Sequence, residues 1–253
     1  MEILLKGENV SKYFGGLAAL SDLTFQIEKG EIVGLIGPNG AGKTTLVNVI
    51  TGVYPASKGK IRFREEDITH AKPYHIGRMG IARTFQIVKS FSGMTVKENV
   101  LIGALFGKSG MKRTTQEALK KVEEVLEFIG LGEKRDFPVE ETTIPDRKRL
   151  ELAKALAMEP DLLFLDEVMA GLRPKEMEDV MALIKELNRN GITILLIEHV
   201  MKAIMGISHR VIVLHEGRLI AGGTPEEISK DEKVIRAYLG SRYAKRREEG
   251  ARA

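Results

Sequence analysis

A stretch near the N-terminus has the residue types and the spacing of a phosphate-binding loop. Residues 34–52 read GLIGPNGAGKTTLVNVITG, and residues 37–44 match G-x-x-x-x-G-K-[ST] between an apolar run and a run of helix formers. The backbone N–H groups of such a loop surround the β-phosphate of a nucleotide at the positive end of the following helix. We expect Lys43 to contact the β- and γ-phosphates and the Thr44 hydroxyl to bind Mg²⁺. The residues predicted to hold the nucleotide in this loop are Gly37, Pro38, Asn39, Gly40, Ala41, Gly42, Lys43, Thr44 and Thr45.

A nucleotide site of this kind needs an acidic partner for the metal ion. In DLLFLDEV (161–168), four apolar residues precede Asp166 and Glu167 at the end of a predicted strand. Asp166 suits a water-mediated contact to Mg²⁺. Successive residues of a strand point to opposite sides, so we expect Glu167 to face away from Asp166, where it can hold and polarise the attacking water. The alternative is an ordinary acidic strand end.

One histidine is placed to contact the nucleotide. His199 directly follows the apolar run ITILLIE (192–198), and at the end of a strand beside the nucleotide site it can reach the γ-phosphate. The remaining histidines show no ligand spacing and are interpreted as structural: His70, His75, His209 and His215.

The elements that must position these residues predict an α/β fold. The runs 32–37, 162–166 and 192–198 are almost continuously apolar, as in strands buried on both faces of a mostly parallel sheet flanked by helices. The alternation in LTFQIEKGEIVGLI (23–36), with a turn at Lys29-Gly30, predicts an antiparallel β subdomain. A later hairpin is predicted over 210–223, turning at Glu216-Gly217.

The chain is expected to form one domain over residues 1–240. Its α/β core takes residues 1–92 and 158–240, and the helical spacing of residues 93–157 predicts an inserted helical lobe. Residues 241–253 read as a basic, polar tail.

Composition excludes several classes of protein. Without cysteine there are no disulfides, thiolate metal sites or cysteine nucleophiles. The net charge is only +4, and basic residues are mixed with acidic ones, so no nucleic-acid partner is expected. No apolar run reaches the roughly 18–20 residues that span a bilayer, and the N-terminus has no signal-peptide pattern. We expect a soluble, cytoplasmic protein that meets a membrane only through partners.

Taken together, these residues resemble the ATP-binding subunit of ABC transporters, from about Leu4 to Gly240. The resemblance implies a P-loop NTPase fold that hydrolyses ATP with Mg²⁺. It implies that Phe14 in VSKYFGG stacks on adenine, with Tyr13 as the adjacent alternative. It also implies that Gln86 in IARTFQ contacts both the metal and the attacking water. His199 would be the switch histidine.

Within that family, three segments resemble the LivG-type subunits of branched-chain amino-acid importers most. They are residues 82–103, 166–174 and 205–240. This resemblance implies transmembrane permease subunits, a second ATPase subunit and, indirectly, a periplasmic or extracellular solute-binding protein as partners. It implies a peripheral position on the cytoplasmic face of the cell membrane.

One segment departs from the family pattern. The family signature Leu-Ser-Gly-Gly-Gln contacts the γ-phosphate of ATP held by the other subunit of a head-to-tail dimer. Alignment through RLELAKAL puts residues 142–146 on it, of which the signature residues are Thr143, Ile144, Pro145 and Asp146. Pro145 lacks the N–H that would donate to phosphate, a loss of about 1.5–3 kcal/mol. Asp146 stabilises a helix N-terminus by about 0.3–1 kcal/mol but opposes an incoming phosphate.

Two more positions depart from the family in the same region. Val168 follows the acidic pair where the family usually has proline. Arg173 stands where an aspartate or asparagine that crosses the dimer is expected.

Three explanations of the altered signature remain open. The favoured one pairs this chain with a different ATPase subunit whose signature is intact. In a homodimer both sites would be weakened alike, and in the third case Thr143 and other backbone donors compensate. Alternative functions are a soluble ABC ATPase outside transport and a weakly hydrolysing regulatory subunit.

Overall fold

The structure, a computed structural model, describes residues 2–85, 90–108 and 112–239. Its strands are β1 (Ile3–Phe14), β2 (Leu17–Glu28), β3 (Ile32–Ile36), β4 (Lys58–Phe63), β5 (Glu66–Asp67), β6 (Ile81–Arg83), β7 (Leu162–Asp166), β8 (Thr193–Ile197), β9 (Arg210–His215) and β10 (Arg218–Gly223). Its α-helices are α1 (Lys43–Ile50), α2 (Pro73–Met79), α3 (Val96–Phe106), α4 (Thr115–Ile129), α5 (Ile144–Ala157), α6 (Pro174–Arg189), α7 (Met201–Ile207), α8 (Pro225–Lys230) and α9 (Glu232–Leu239).

The larger sheet positions the predicted site. Its order is β10-β9-β3-β8-β7-β6, and all neighbours except β10 and β9 pair in parallel. Every residue of β3, β7 and β8 is buried, as continuous apolar runs predict. Ile197 is in register with both Leu35 and Asp166, so three strands end at the same edge. Ligands bind at such carboxyl ends in open α/β sheets.

The smaller sheet is antiparallel, with the order β2-β1-β4-β5. The predicted antiparallel subdomain and the hairpin of β9 and β10 are both present. The turn at Lys29-Gly30 does not join a hairpin, however, because β2 pairs with β1 while β3 pairs with β8 and β9. The reason is burial: β2 alternates between buried and exposed residues, whereas β3 is buried throughout.

Helices α3, α4 and α5 pack together in the segment predicted to be a helical lobe. Val100, Val122 and Ala153 are all fully buried in one apolar cluster that also contains Leu163 and Leu196 of the large sheet. The lobe therefore shares its core with the sheet. Within residues 2–85, 90–108 and 112–239, no helix has the length and apolar character needed to cross a membrane.

Candidate nucleotide-binding and hydrolysis site

The phosphate-binding loop connects β3 to α1 through backbone conformations that favour glycine. Gly40 and Gly42 have φ angles of 79° and 105°. A Cβ on Gly37 would lie 2.2 Å from the Leu214 carbonyl oxygen, so a larger residue would displace the neighbouring strand. Helix α1 has no acidic residue in its first turn and no side-chain cap among the described residues. Its first N–H groups and its dipole are thus available to an anion.

Lys43 lies inside this loop. Its Nζ donates to the carbonyl oxygens of Gly37, at 2.7 Å, and Pro38, at 3.2 Å. Burial lowers the pKa of Lys43, and the nearby Glu167 and Asp166 oppose that shift. The ammonium group is therefore held at the sheet edge, beside the residues predicted to carry out hydrolysis.

A cavity of about 700 Å³ opens at this edge. Its described lining comprises Phe14, residues 17–19, residues 39–45, Glu167, His199, Glu216 and Gly217. Most of the predicted nucleotide contacts are thereby brought together. Gly37 and Pro38 are not among the described lining residues; their carbonyl oxygens accept from Lys43 Nζ instead.

The two aromatic candidates for adenine stacking occupy different positions. Phe14 lines the cavity and packs edge-on against Tyr54, with ring centroids 5.2 Å apart. The Tyr13 ring instead has the Lys58 Nζ 5.8 Å from its centroid. The geometry favours Phe14, and Tyr54 supports it without having been predicted.

The turn between β9 and β10 supports the phosphate-binding loop. This contact was not predicted from the sequence. The Gly217 N–H donates to the Ala41 carbonyl at 2.9 Å, and its own carbonyl accepts from the Ser21 N–H at 2.8 Å. The turn could be predicted from Glu216-Gly217, but its partners could not, because they are far away in the chain.

Asp166 is a buried carboxylate at the end of β7, with 4% of its surface exposed. Its N–H donates to Thr84 Oγ1 at 3.1 Å, and its Oδ2 lies 3.5 Å from an Arg83 nitrogen. Burial raises the pKa of Asp166, and the Arg83 guanidinium opposes the shift. The carboxylate therefore lies at the end of β7 next to a guanidinium, and its metal role stays a prediction.

Glu167 departs from the predicted pleat. Its φ is 52°, in the left-handed region, and its N–H donates to the Ile197 carbonyl at 2.9 Å. The strand thus ends at Asp166. A local turn, and not the alternation of a strand, directs Glu167 into the cavity.

His199 and Glu167 form a pair that the sequence did not predict. His199 Nε2 lies 2.7 Å from Glu167 Oε1, with the His199 side chain 49% exposed and that of Glu167 15% exposed. The two predicted catalytic residues are in direct contact, so the histidine can orient the carboxylate as well as face a phosphate.

Glu198 is the last residue of the run 192–198, and no role is predicted for it from the sequence. It is 2% exposed, and its Oε1 accepts from the Met169 N–H at 2.7 Å. Burial raises the pKa of Glu198, and the charge of Glu167 adds to the shift. This carboxyl group ties the end of β8 to the loop after β7.

Helix α5, which aligns with the signature, begins with a capping box. Thr143 is its N-cap, and Asp146 Oδ2 accepts from the Thr143 N–H at 3.2 Å and from its hydroxyl at 2.6 Å. The same oxygen accepts from Lys134 Nζ at 2.6 Å. Burial raises the pKa of Asp146, but hydrogen bonds from Lys134 and Thr143 outweigh it and lower the pKa. Residues 143–146 do not line the cavity, and Ile144 is 71% exposed.

Two other residues, Val168 and Arg173, depart from the family pattern. Val168 packs against the large apolar cluster. The Arg173 side chain is 82% exposed, and Glu176 accepts from its guanidinium at 2.6 Å. Gln86 and the predicted tail 241–253 lie outside the described residues.

In the described ranges, no group of three or more histidine, cysteine, aspartate or glutamate residues could hold a metal ion. Mg²⁺ usually takes one or two protein oxygens together with substrate phosphates and water. The Thr44 hydroxyl and the Asp166 carboxylate fit that pattern, because Thr44 lines the cavity at the start of α1 and Asp166 ends β7 directly before Glu167, which also lines it.

The fold and the site define a P-loop nucleotide hydrolase with an inserted helical lobe. A family model described as "ABC transporter" matches residues 20–170, more than half of the chain. A second model, "Branched-chain amino acid ATP-binding cassette transporter", matches residues 218–244. The chain therefore belongs to the ABC transporter family, and it is an ATP-binding cassette that hydrolyses ATP.

Individual proteins support the assignment. The chain is 43% identical over 249 residues to the high-affinity branched-chain amino acid transport ATP-binding protein LivG of Salmonella typhimurium, covering 94% of this chain and 98% of that protein. It is 38% identical to BraF of Pseudomonas aeruginosa, a protein of the same description, with the same coverage.

Solved structures agree with the fold. A nucleotide-free ATP-binding cassette from an ABC transporter has a TM-score of 0.85 and 34% identity, covering 94% of this chain and all of that one. A dimeric post-hydrolysis state of an ATP-binding cassette, bound to ADP and Pi, has a TM-score of 0.78 and 25% identity, covering 87% of this chain and 98% of that one. The predicted fold class and family are confirmed.

Proposed function

We propose that this chain powers a branched-chain amino-acid importer from the cytoplasmic face of the membrane, through transmembrane permease subunits. The observation that carries the ATPase part is the cavity in which the phosphate loop faces the Glu167–His199 pair. The substrate class is supported by the names of the similar proteins and by the match over residues 218–244. A solute-binding protein would deliver the amino acid on the other side of the membrane.

The nucleotide would be held by groups already in place. The free N–H groups of α1 and the Lys43 ammonium would hold the phosphates, and Phe14 would stack on the adenine. Thr44, Asp166 and Gln86 would hold Mg²⁺, which when bound neutralises charge on the phosphate oxygens. Arg83 and Lys43 supply positive charge next to Asp166, which opposes the rise that burial causes in the pKa of that carboxyl group.

Glu167 is proposed as the general base. Its carboxylate would accept a proton from the attacking water, which adds to the γ-phosphorus while the bond to the β-phosphate oxygen breaks, giving ADP and Pi. The contact with His199 at 2.7 Å would keep one carboxylate oxygen fixed. Because half of the His199 side chain is exposed, its ring can also meet the γ-phosphate.

We infer that the working assembly is a heterodimer with a second ATPase subunit whose signature is intact. Residues 143–146 do not line the cavity of their own chain, so any signature contact must be made to another subunit. The carboxylate of Asp146 already occupies the N-terminus of α5 and is neutralised by Lys134. This chain would contribute a competent phosphate loop and Glu167 to one site and a weak signature to the other.

Reconstitution tests the transport assignment. The chain, the second ATPase subunit and the membrane subunits are placed in vesicles, with the solute-binding protein and radiolabelled leucine outside. We expect uptake that requires internal ATP and is lost with Glu167→Gln. Leucine uptake that is unaffected by this substitution would contradict the proposal. ATPase stimulation by a different solute alone would overturn only the substrate class.

A further inference from the structure

Arg83 is a buried cation between the phosphate-loop helix and the predicted metal carboxylate. Its side chain is 12% exposed. One guanidinium nitrogen donates to Asn48 Oδ1 at 2.7 Å and to Thr51 Oγ1 at 3.4 Å, both on or next to α1. The second terminal nitrogen of the guanidinium lies 3.5 Å from Asp166 Oδ2. A single side chain therefore connects α1 to the end of β7.

Packing alone does not require a cation at this position. Burying a guanidinium costs free energy unless its donors are paired, and an apolar side chain of similar size would avoid that cost. Burial indeed lowers the pKa of Arg83, with Asp166 opposing the shift. The fork geometry of arginine suits a bridge between two acceptors, which lysine cannot reproduce.

The position of Asn48 shows which face of α1 the Arg83 bridge holds. Asn48 lies four residues after Thr44, so the two side chains share one face of the helix. Arg83 thus fixes the helix that carries one predicted metal ligand relative to Asp166, the other. The following residue contributes as well, because Thr84 Oγ1 accepts from the Asp166 N–H.

We propose that Arg83 is a positioning residue for metal-bound nucleotide. It holds Asp166 and the face of α1 that carries Thr44 in a fixed position relative to each other, so that both could bind the metal of a metal-bound nucleotide. The proposal rests on the metal role given to Thr44 and Asp166 under the proposed function, and it adds a structural role for Arg83 to the charge that Arg83 supplies there. Phe85 covers the guanidinium from outside, with its ring centroid 4.6 Å from the Arg83 Cζ, so the bridge is shielded from solvent.

Nucleotide binding with and without metal tests the proposal on the full-length chain. Affinity for a fluorescent ATP analogue is measured in Mg²⁺ and in EDTA. The dissociation constant in EDTA divided by that in Mg²⁺ reports the contribution of the metal. We expect Arg83→Gln to reduce that ratio about tenfold, as for other residues that orient metal ligands, with the affinity in EDTA unchanged. Arg83→Lys should give an intermediate ratio, because it keeps the charge and loses the bridge.

Two further variants make the result decisive. Arg210→Gln is the matched control, since Arg210 is also partly buried and paired, to Glu31 at 2.7 Å, but away from the cavity. It should leave the ratio unchanged. Asn48→Leu releases the bridge from α1 while keeping Arg83 and Asp166, and should lower the ratio even if Arg83→Gln fails to fold.

The outcomes separate this inference from the proposed function. Equal ratios in the wild type, Arg83→Lys and Asn48→Leu would show that Arg83 is only structural and would overturn the inference. A wild-type chain that binds the analogue equally well in Mg²⁺ and in EDTA would instead contradict the metal role of Thr44 and Asp166.

Discussion

Asp146 Oδ2 lies 2.6 Å from the Thr143 hydroxyl oxygen, so the helix that aligns with the family signature begins with its own anion. The contrast with α1 is direct, because the described residues offer α1 neither an acidic residue in its first turn nor a side-chain cap. Among the described residues, α1 thus begins without a competing carboxylate, whereas α5 begins with one. The proposed roles of this chain, a competent phosphate loop in one site and a weak signature in the other, are based on this difference between the two helix N-termini.

Restoring the signature should raise activity while lowering stability. The double substitution Pro145→Gly and Asp146→Gln returns a donor and removes the competing charge, so we expect the ATPase rate of the isolated chain to rise about tenfold or more. Loss of the Asp146 charge, and with it the ion pair to Lys134, should lower the free energy of unfolding by about 1 kcal/mol. Steady-state phosphate release and urea denaturation measure the two effects.

The matched control is in α4. Glu117 closes the same kind of capping box on Thr114, so Glu117→Gln should cause a similar loss of stability without any gain in ATPase. Equal effects of the two changes on activity would mean that Asp146 does not keep phosphate away from α5.

Removal of the proposed base should stop chemistry and spare binding. Glu167→Gln keeps the shape and the contact with His199 but cannot accept a proton, so kcat should fall by about 10²–10⁴ while ATP affinity holds. Glu178→Gln, an exposed change on α6, should leave kcat as it is. Single-turnover hydrolysis together with nucleotide binding measures both quantities. An unchanged kcat in Glu167→Gln would remove it from the mechanism.

The adenine contact should depend on Phe14 and not on its neighbour. Phe14→Ala should weaken ATP binding by about 1–3 kcal/mol, since a stacking face is lost from the cavity wall. Tyr13→Ala should have little effect, because its ring lies near Lys58. Titration with a fluorescent ATP analogue compares the two variants, and the reverse order would exchange their roles.

Glu198 makes stability depend on pH. Its pKa is raised by burial above the ordinary value of 4.5, so its contribution to stability is complete below that value and is lost as the pH rises through the raised pKa. Glu198→Gln keeps an acceptor for the Met169 N–H without the charge. The variant should therefore gain stability over the wild type as the pH increases across this window. Urea denaturation at a series of pH values measures the difference, and a constant difference would contradict the pKa assignment.

Coupling to the membrane subunits should involve the segment that leads into the helical lobe. Phe91 is 46% exposed, and a charge in its place should impair contact with an apolar partner surface. Phe91→Glu is expected to reduce leucine uptake in vesicles while nucleotide affinity stays the same. Phe137→Glu is an almost equally exposed control, at 47%, within the lobe. Equal losses in both variants would point to a general defect in the packing of this region.

What the sequence predicts and what it misses have a common cause. The phosphate loop and the cap of α5 depend on residues a few positions apart, so their geometry follows from local pattern. Lys134 reaches Asp146 from 12 positions away, and Arg83 joins elements that are far apart in the chain. Such pairings follow from tertiary packing. Glu167 was assigned the wrong geometry because a left-handed turn, for which glutamate has no local preference, replaces the expected pleat.

The site that hydrolyses ATP is proposed to be shared between two different subunits. Steady-state ATPase is measured against concentration of this chain, first alone and then with the second ATPase subunit, using Glu167→Gln as the blank. We predict very low activity alone and a sharp rise when the partner is added. Robust activity of the chain alone, increasing with the square of its concentration, would contradict the account and show that the proline-bearing N-terminus of α5 completes a γ-phosphate site.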